Sequence, residues 1–176
     1  ALQTLADLYV NQGLPRLAAG LYTEAMAKDP AKGLAAALRA AEVLLARDDT
    51  GSARTLLRQA RAGAPVDPNS PQMQAMLRLE GKIALAQRED AAAAELLEKA
   101  AALDPLDGDS LLALGQTYVR LEQPDKAIFA LERAGNLEKF EADAKVRHAQ
   151  VLVGLKRYAD AIPLLKRAQE IKPREN

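Results

Sequence analysis

With 176 residues, 24 Lys+Arg, 24 Asp+Glu and a formal net charge of zero, the chain can bury a substantial core and carries no bulk charge to draw it to nucleic acid or an anionic membrane. It has no cysteine and one histidine, which excludes a disulfide framework and thiolate chemistry and suits a cytoplasmic or a periplasmic compartment equally. No apolar stretch approaches the roughly 20 residues that cross a bilayer, so direct membrane insertion is not expected.

Apolar residues recur at three- and four-residue spacing almost throughout, and period-two alternation is nowhere sustained, which predicts an all-α chain. Leu2, Leu5, Leu8 and Tyr9 make the first stripe. Breakers follow at Gly13 and Pro15, Pro30, Gly51, Pro65 to Pro71, Pro105 to Gly108, Pro124 and Pro173. Between them lie about ten predicted helices of roughly 12–16 residues with short connections. Ser70 before Pro71 and Gln123 before Pro124 are expected N-caps, and Pro163 is expected in the first turn of the last helix.

The helices pair, and the pairs repeat. Small residues stand at Ala6, Ala41, Gly81, Gly115 and Ala149, at separations of 35, 40, 34 and 34. Twelve residues after each comes an alanine, at Ala18, Ala53, Ala93, Ala127 and Ala161. A large apolar residue follows at Tyr22, Leu57, Leu97, Leu131 and Leu165, and a further alanine at Ala25, Ala60, Ala100, Ala134 and Ala168. Proline closes four repeats, at Pro30, Pro65, Pro105 and Pro173, with Lys139 in that place in the fourth. The longer spacing between the second and third repeats is supplied by residues 64–71, "APVDPNSP", which reads as a lengthened loop or a hinge.

Over nearly its whole length this pattern resembles the tetratricopeptide repeat. The fourth repeat carries the resemblance best, through Leu111, Leu114, Gly115, Tyr118, Ala127, Leu131 and Ala134. The first follows with Leu2, Leu5, Ala6, Tyr9, Ala18, Tyr22, Ala25 and Pro30. No tryptophan appears where the family often has one, and Glu80 and His148 replace its usual leucine. The resemblance implies a right-handed α-solenoid of about five helix–turn–helix repeats, a single domain over 1–176 with repeats near 1–32, 33–68, 69–106, 107–140 and 141–176. Small residues are then packing devices, placed where two helices of a repeat approach closely.

The resemblance further implies that first helices line a concave groove for an extended or helical peptide. The residues expected there are Asp7 and Val10; Leu38, Glu42 and Leu45; Arg78, Lys82 and Leu85; Leu112, Gln116, Val119 and Arg120; and Val146, Gln150 and Val153. Val10, Leu45, Leu85, Val119 and Val153 would form an apolar floor, unless they pack against neighbouring helices instead. Arg78, Lys82, Asp7 and Glu42 would set the ligand's orientation. Asp7 and Glu42 would repel the C-terminal carboxylate that chaperone-binding members of the family clamp.

Little else suggests chemistry. His148 falls at a packing position, Asp104, Asp107 and Asp109 read as turn and cap residues rather than a calcium loop, and Glu132, Glu138 and Glu141 are scattered on helix surfaces. Arg54, Arg58 and Arg61 form a basic stripe on an outer helix, without the aromatic residues that nucleic-acid stacking requires. No enzyme, cofactor, metal or nucleic-acid partner is expected. The chain reads as a protein–protein interaction scaffold that binds a peptide or helix of a protein partner. The alternative is a self-association module of a larger multidomain protein, its alanine-rich composition resembling bacterial repeat proteins. Both ends read as unfinished, so the chain is expected to continue or to dock on another copy through its last helix, where Ile162, Leu164 and Leu165 lack partners within one helix pair. A third reading places catalysis elsewhere in such a longer protein.

Overall fold

The computed structural model describes residues 2–63 and 65–172 and, among these, ten α-helices, one 3-10 turn and no strand. In chain order they are α1 (Leu2–Asn11), α2 (Pro15–Lys28), α3 (Pro30–Ala46), α4 (Thr50–Gly63), α5 (Pro71–Ala86), α6 (Asp90–Leu103), α7 (Gly108–Arg120), α8 (Pro124–Gly135), α9 (Glu141–Gly154) and α10 (Tyr158–Ile171). Pro173, expected to close the fifth repeat, lies outside the described residues. The chain divides into two compact units, Ala1–Arg88 and Glu89–Asn176. The division falls between the two helices of the third repeat. The N-terminal unit holds α1 to α5 and the C-terminal unit α6 to α10.

Each unit is built by the repeat register. The small residues Ala6, Ala41 and Ala149 are fully buried, as are Ala18, Ala53, Ala93 and Ala127 of the alanine position twelve residues on in the register. In the N-terminal unit Tyr22, Met26, Leu57, Met76 and Leu79 fill the space between these backbones. In the C-terminal unit Leu97, Leu111 and Leu131 do so. At Gly115 the approach is close: a Cβ there would stand 2.7 Å from Cγ of Leu131, a buried side chain. The glycine costs helix propensity of roughly 1 kcal/mol, and close contact between α7 and α8 offsets it.

The turn joining the two helices of each repeat is three residues long, and one backbone feature makes this work. Seven residues after each small position a residue adopts the left-handed conformation: Gly13 (φ 74°), Asp48 (62°), Arg88 (64°), Glu122 (56°) and Lys156 (61°). In the fourth repeat Gln123 N–H donates to the Tyr118 carbonyl at 2.9 Å and Glu122 N–H to that of Val119 at 3.2 Å. Corresponding pairs occur at Leu14 and Gly13, Asp49 and Asp48, and Arg157 and Lys156. This is the Schellman closure, which satisfies carbonyls the helix end would leave unpaired.

Three first helices, α3, α5 and α7, start on side-chain caps, whereas α9 follows Phe140 without one. Asp29 accepts from Lys32 N–H at 3.1 Å, Ser70 Oγ from Met73 N–H at 3.1 Å, and Asp107 from Ser110 N–H at 3.4 Å and Ser110 Oγ at 2.6 Å. Gln123 differs from expectation: it occupies the N-cap position of α8 but makes no side-chain cap bond. Pro163 also differs. Since α10 begins at Tyr158, it is the sixth helical residue, beyond the first turn, and its ring removes the N–H that would bond the Ala159 carbonyl.

The long connection is an ordered loop over its described part. The Asp67 side chain accepts from Asn69 N–H at 2.9 Å, its carbonyl accepts from Ser70 N–H at 3.0 Å and Ser70 Oγ at 2.7 Å, and Val66 packs on the core of the N-terminal unit. Lys139, standing where other repeats have proline, lies in the 3-10 turn Glu138–Phe140, whose Phe140 packs on the core beside Leu111 and Leu131.

Candidate functional site: the face of the first helices

The two units present their first helices differently. In the N-terminal unit, Val10, Leu38 and Leu85 are buried and Leu45 is half-buried against the core, so the apolar line expected there is a packing feature. Its polar groups are also committed. Arg78 on α5 pairs with Glu42 on α3 at 3.2 Å, and Asp7 accepts a hydrogen bond from the Tyr22 hydroxyl. Burial, first, and then Asp7 hold that phenol well above its ordinary range. Lys82 is half-buried.

The C-terminal unit is open. Val119 (48% exposed), Val146 and Val153 reach the surface, with Gln116 and Gln150 exposed beside them. Leu112 is buried, and Arg120 is tied to Asp90 on α6 at 3.2 Å. Tyr118 anchors α7 from beneath, its hydroxyl donating to Glu98 on α6, and burial pushes the phenol up to about 12.

Between α7 and α9 runs a slot of about 520 Å³. From α7 it takes Gly115, Gln116 and Val119; from the following turn and α8, Glu122, Pro124 and Leu131; from α9 and its end, Arg147, Gln150, Val151, Gly154 and Leu155. The glycines make the room. Gly115 contributes no side chain to the floor, and a Cβ on Gly154 would meet nothing within 4 Å. The floor is apolar and two amides stand at its edge. Arg147 and Glu122 carry the formal charges of the rim, and neither side chain has a hydrogen-bond or ion-pair partner among the described residues.

Of the residues expected in the groove, the slot gathers Gln116, Val119 and Gln150. Arg147, Gly154, Leu155 and Glu122 were not anticipated. A signal for them existed: 147, 150, 151 and 154 follow helical spacing on one face of α9, the face that holds Gln150.

His148 lies elsewhere, in a mixed recess with Asp125, Glu132, Arg157 and Asp160 and the apolar Ile128, Leu152 and Leu164. Burial holds its imidazole below the ordinary range, although Glu132 opposes the shift. Glu80, the other departure from leucine, is raised by burial, with Arg61 at 2.8 Å opposing. At both positions burial disfavours the charged form, and a neighbouring opposite charge offsets part of that cost. Arg54, Arg58 and Arg61 are exposed. Asp104 and Asp107 serve as turn and cap residues. Among the described residues no cluster of three or more His, Asp or Glu could hold a metal, and no helix is long and apolar enough to cross a membrane.

Family models described as "Tetratricopeptide repeat" match residues 4–68 and 38–108, and one described as "Anaphase-promoting complex, cyclosome, subunit 3" matches residues 86–168. Among solved structures, the chain is similar to the crystal structure of MamA (TM-score 0.75, 21% identity, covering 95% of this chain and 94% of that one). It is also similar to YrrB, described as "a TPR protein with an unusual peptide-binding site" (TM-score 0.70, 16% identity, 98% and 85% covered). A third is pilF of Pseudomonas aeruginosa (TM-score 0.72, 19% identity, 99% and 77% covered). At these identities the likeness concerns the fold, an α-solenoid of helix–turn–helix repeats. No curated protein sequence matches the chain.

Proposed function

The chain belongs to the tetratricopeptide repeat family, and from that premise we propose that it is a protein–protein interaction scaffold whose C-terminal unit receives a peptide segment of a protein partner in the slot between α7 and α9. Such repeats generally mediate protein–protein interaction. The observation that carries the reading is the slot itself: an apolar floor on the first-helix face, with Gly115 and Gly154 in its lining and exposed polar groups at its rim. A buried leucine or phenylalanine anchor contributes about 1.5–3 kcal/mol. That is less than the roughly 4.1 kcal/mol of even a millimolar complex, so the peptide's backbone and polar contacts along the slot must supply most of the affinity.

Gly154→Leu tests this with little disturbance to the fold, because the new side chain enters open space at the end of α9. Peptides selected from a random display library on the parent protein should lose at least about tenfold in affinity for the variant, while circular dichroism and melting stay unchanged. Undiminished binding would remove the slot as the site.

One observation favours self-association as a second reading. Leu165 is 44% exposed, whereas its counterparts Tyr22, Leu57, Leu97 and Leu131 are at most 2% exposed. With Tyr158 and Ile162 it forms an apolar stripe on α10. Sedimentation equilibrium should then show a concentration-dependent oligomer that Leu165→Asp dissolves. A strict monomer at high micromolar concentration would remove this reading.

A further inference from the structure

The slot carries one charge of each sign, and the geometry points to a specific ligand chemistry. Resting on the peptide reading above, we infer that the slot selects an extended segment in which one large apolar residue is flanked, two positions away on either side, by residues of opposite charge.

The spacing comes from the repeat register. α7 and α9 are both first helices, offset by 34 residues, so Arg147 stands at the level of Ala113 on α7. Glu122 sits in the turn just past Arg120, the last residue of α7, which is seven residues beyond that level, or roughly 10.5 Å along the helix axis. The guanidinium and the carboxylate therefore mark opposite ends of the slot, with Val119, Val151 and Leu155 between them. An extended chain rises about 3.4 Å per residue and places alternate side chains on one face. Residues i, i+2 and i+4 of a strand thus cover about 13.6 Å on a single side. They would set a carboxylate at Arg147, an apolar side chain over the floor and a cation at Glu122.

Two further observations agree. Gln116 and Gln150 occupy the same register position on neighbouring first helices, both exposed at the rim of the slot. Each amide offers a donor and an acceptor, which is what the unpaired backbone of an extended peptide requires and a helix does not. Three cations nearby are matched to anions within the unit: Arg120 with Asp90, Arg157 with Asp160 and Lys145 with Glu141. Arg147 and Glu122 alone on the rim keep their charge for a ligand.

The test uses four fluorescein-labelled peptides with identical neutral flanks and blocked ends, whose centres read Glu-Ser-Leu-Ser-Lys, Glu-Ser-Leu-Ser-Glu, Lys-Ser-Leu-Ser-Lys and Ser-Ser-Leu-Ser-Ser. Because the comparison is of charge pairing, it does not depend on which way the peptide runs. Fluorescence anisotropy should rank the mixed-charge peptide first, about three- to tenfold tighter than either like-charge peptide at low salt, with the gap shrinking in 0.5 M salt. Arg147→Glu should move the preference to the Lys/Lys peptide, and Glu122→Lys to the Glu/Glu peptide. Equal binding of all four, still abolished by Gly154→Leu, would overturn the charge selection and leave the slot as a peptide site. Binding that ignores Gly154→Leu, or no binding by any of the four, would overturn both.

Discussion

Four non-glycine residues, Asp48, Arg88, Glu122 and Lys156, hold left-handed backbone that L side chains adopt at a cost. The fifth turn uses Gly13, which adopts it freely. Lys156→Gly should therefore stabilise the protein. The gain is reduced by the greater freedom of glycine in the unfolded chain, leaving about 0.5–1 kcal/mol. Urea denaturation should show a higher midpoint with unchanged slope, and a lower midpoint would mean that the Lys156 side chain makes a contact worth more than the strain. These positions were hard to read from sequence. Only Gly13 advertises a left-handed turn, and the others are visible only once Gly13 is carried through the repeat register. Arg147 and Glu122 were illegible for a different reason: charged residues on exposed faces look alike until the neighbouring helix shows which ones share a slot.

At the scale of elements, the helices and their pairing were legible because small residues recur in phase with large ones. The consequence can be tested at Gly115. Leucine there would drive a side chain into Leu131, already 2.7 Å from where a Cβ would sit. Despite its better helix propensity, Gly115→Leu should destabilise by about 1–3 kcal/mol. A thermal melt equal to the parent's would mean that α7 and α8 do not meet as described. Caps were read where serine or aspartate precedes the first turn, at Ser70 and Asp107, whereas the cap at Asp29 was passed over. Gln123 was misread because position before proline marks a helix start without supplying a bond. Pro163 was misread because the Schellman turn at Lys156 lets α10 begin earlier than the proline suggests.

At the scale of the molecule, the fold class followed from five repeats in one register, a signal that survives weak individual positions such as Glu80 and His148. The binding face was only half legible. Apolar residues at helical spacing serve equally as core or as groove floor, and the sequence does not say which. The structure divides them: Val10, Leu38 and Leu85 are buried, whereas Val119 and Val153 stand in the open. The difference arises from packing within each unit rather than from residue type. It moves the candidate site from a continuous strip along all five repeats to a slot built by the fourth and fifth.

Where a bound peptide sits decides whether that slot is the working surface. In an amide-resolved NMR titration with the Glu-Ser-Leu-Ser-Lys peptide, the largest shifts should fall on Gly115, Gln116, Val119, Gln150 and Gly154. Shifts confined to the exposed faces of α2, α4 and α8, with those five amides unmoved at saturation, would contradict it.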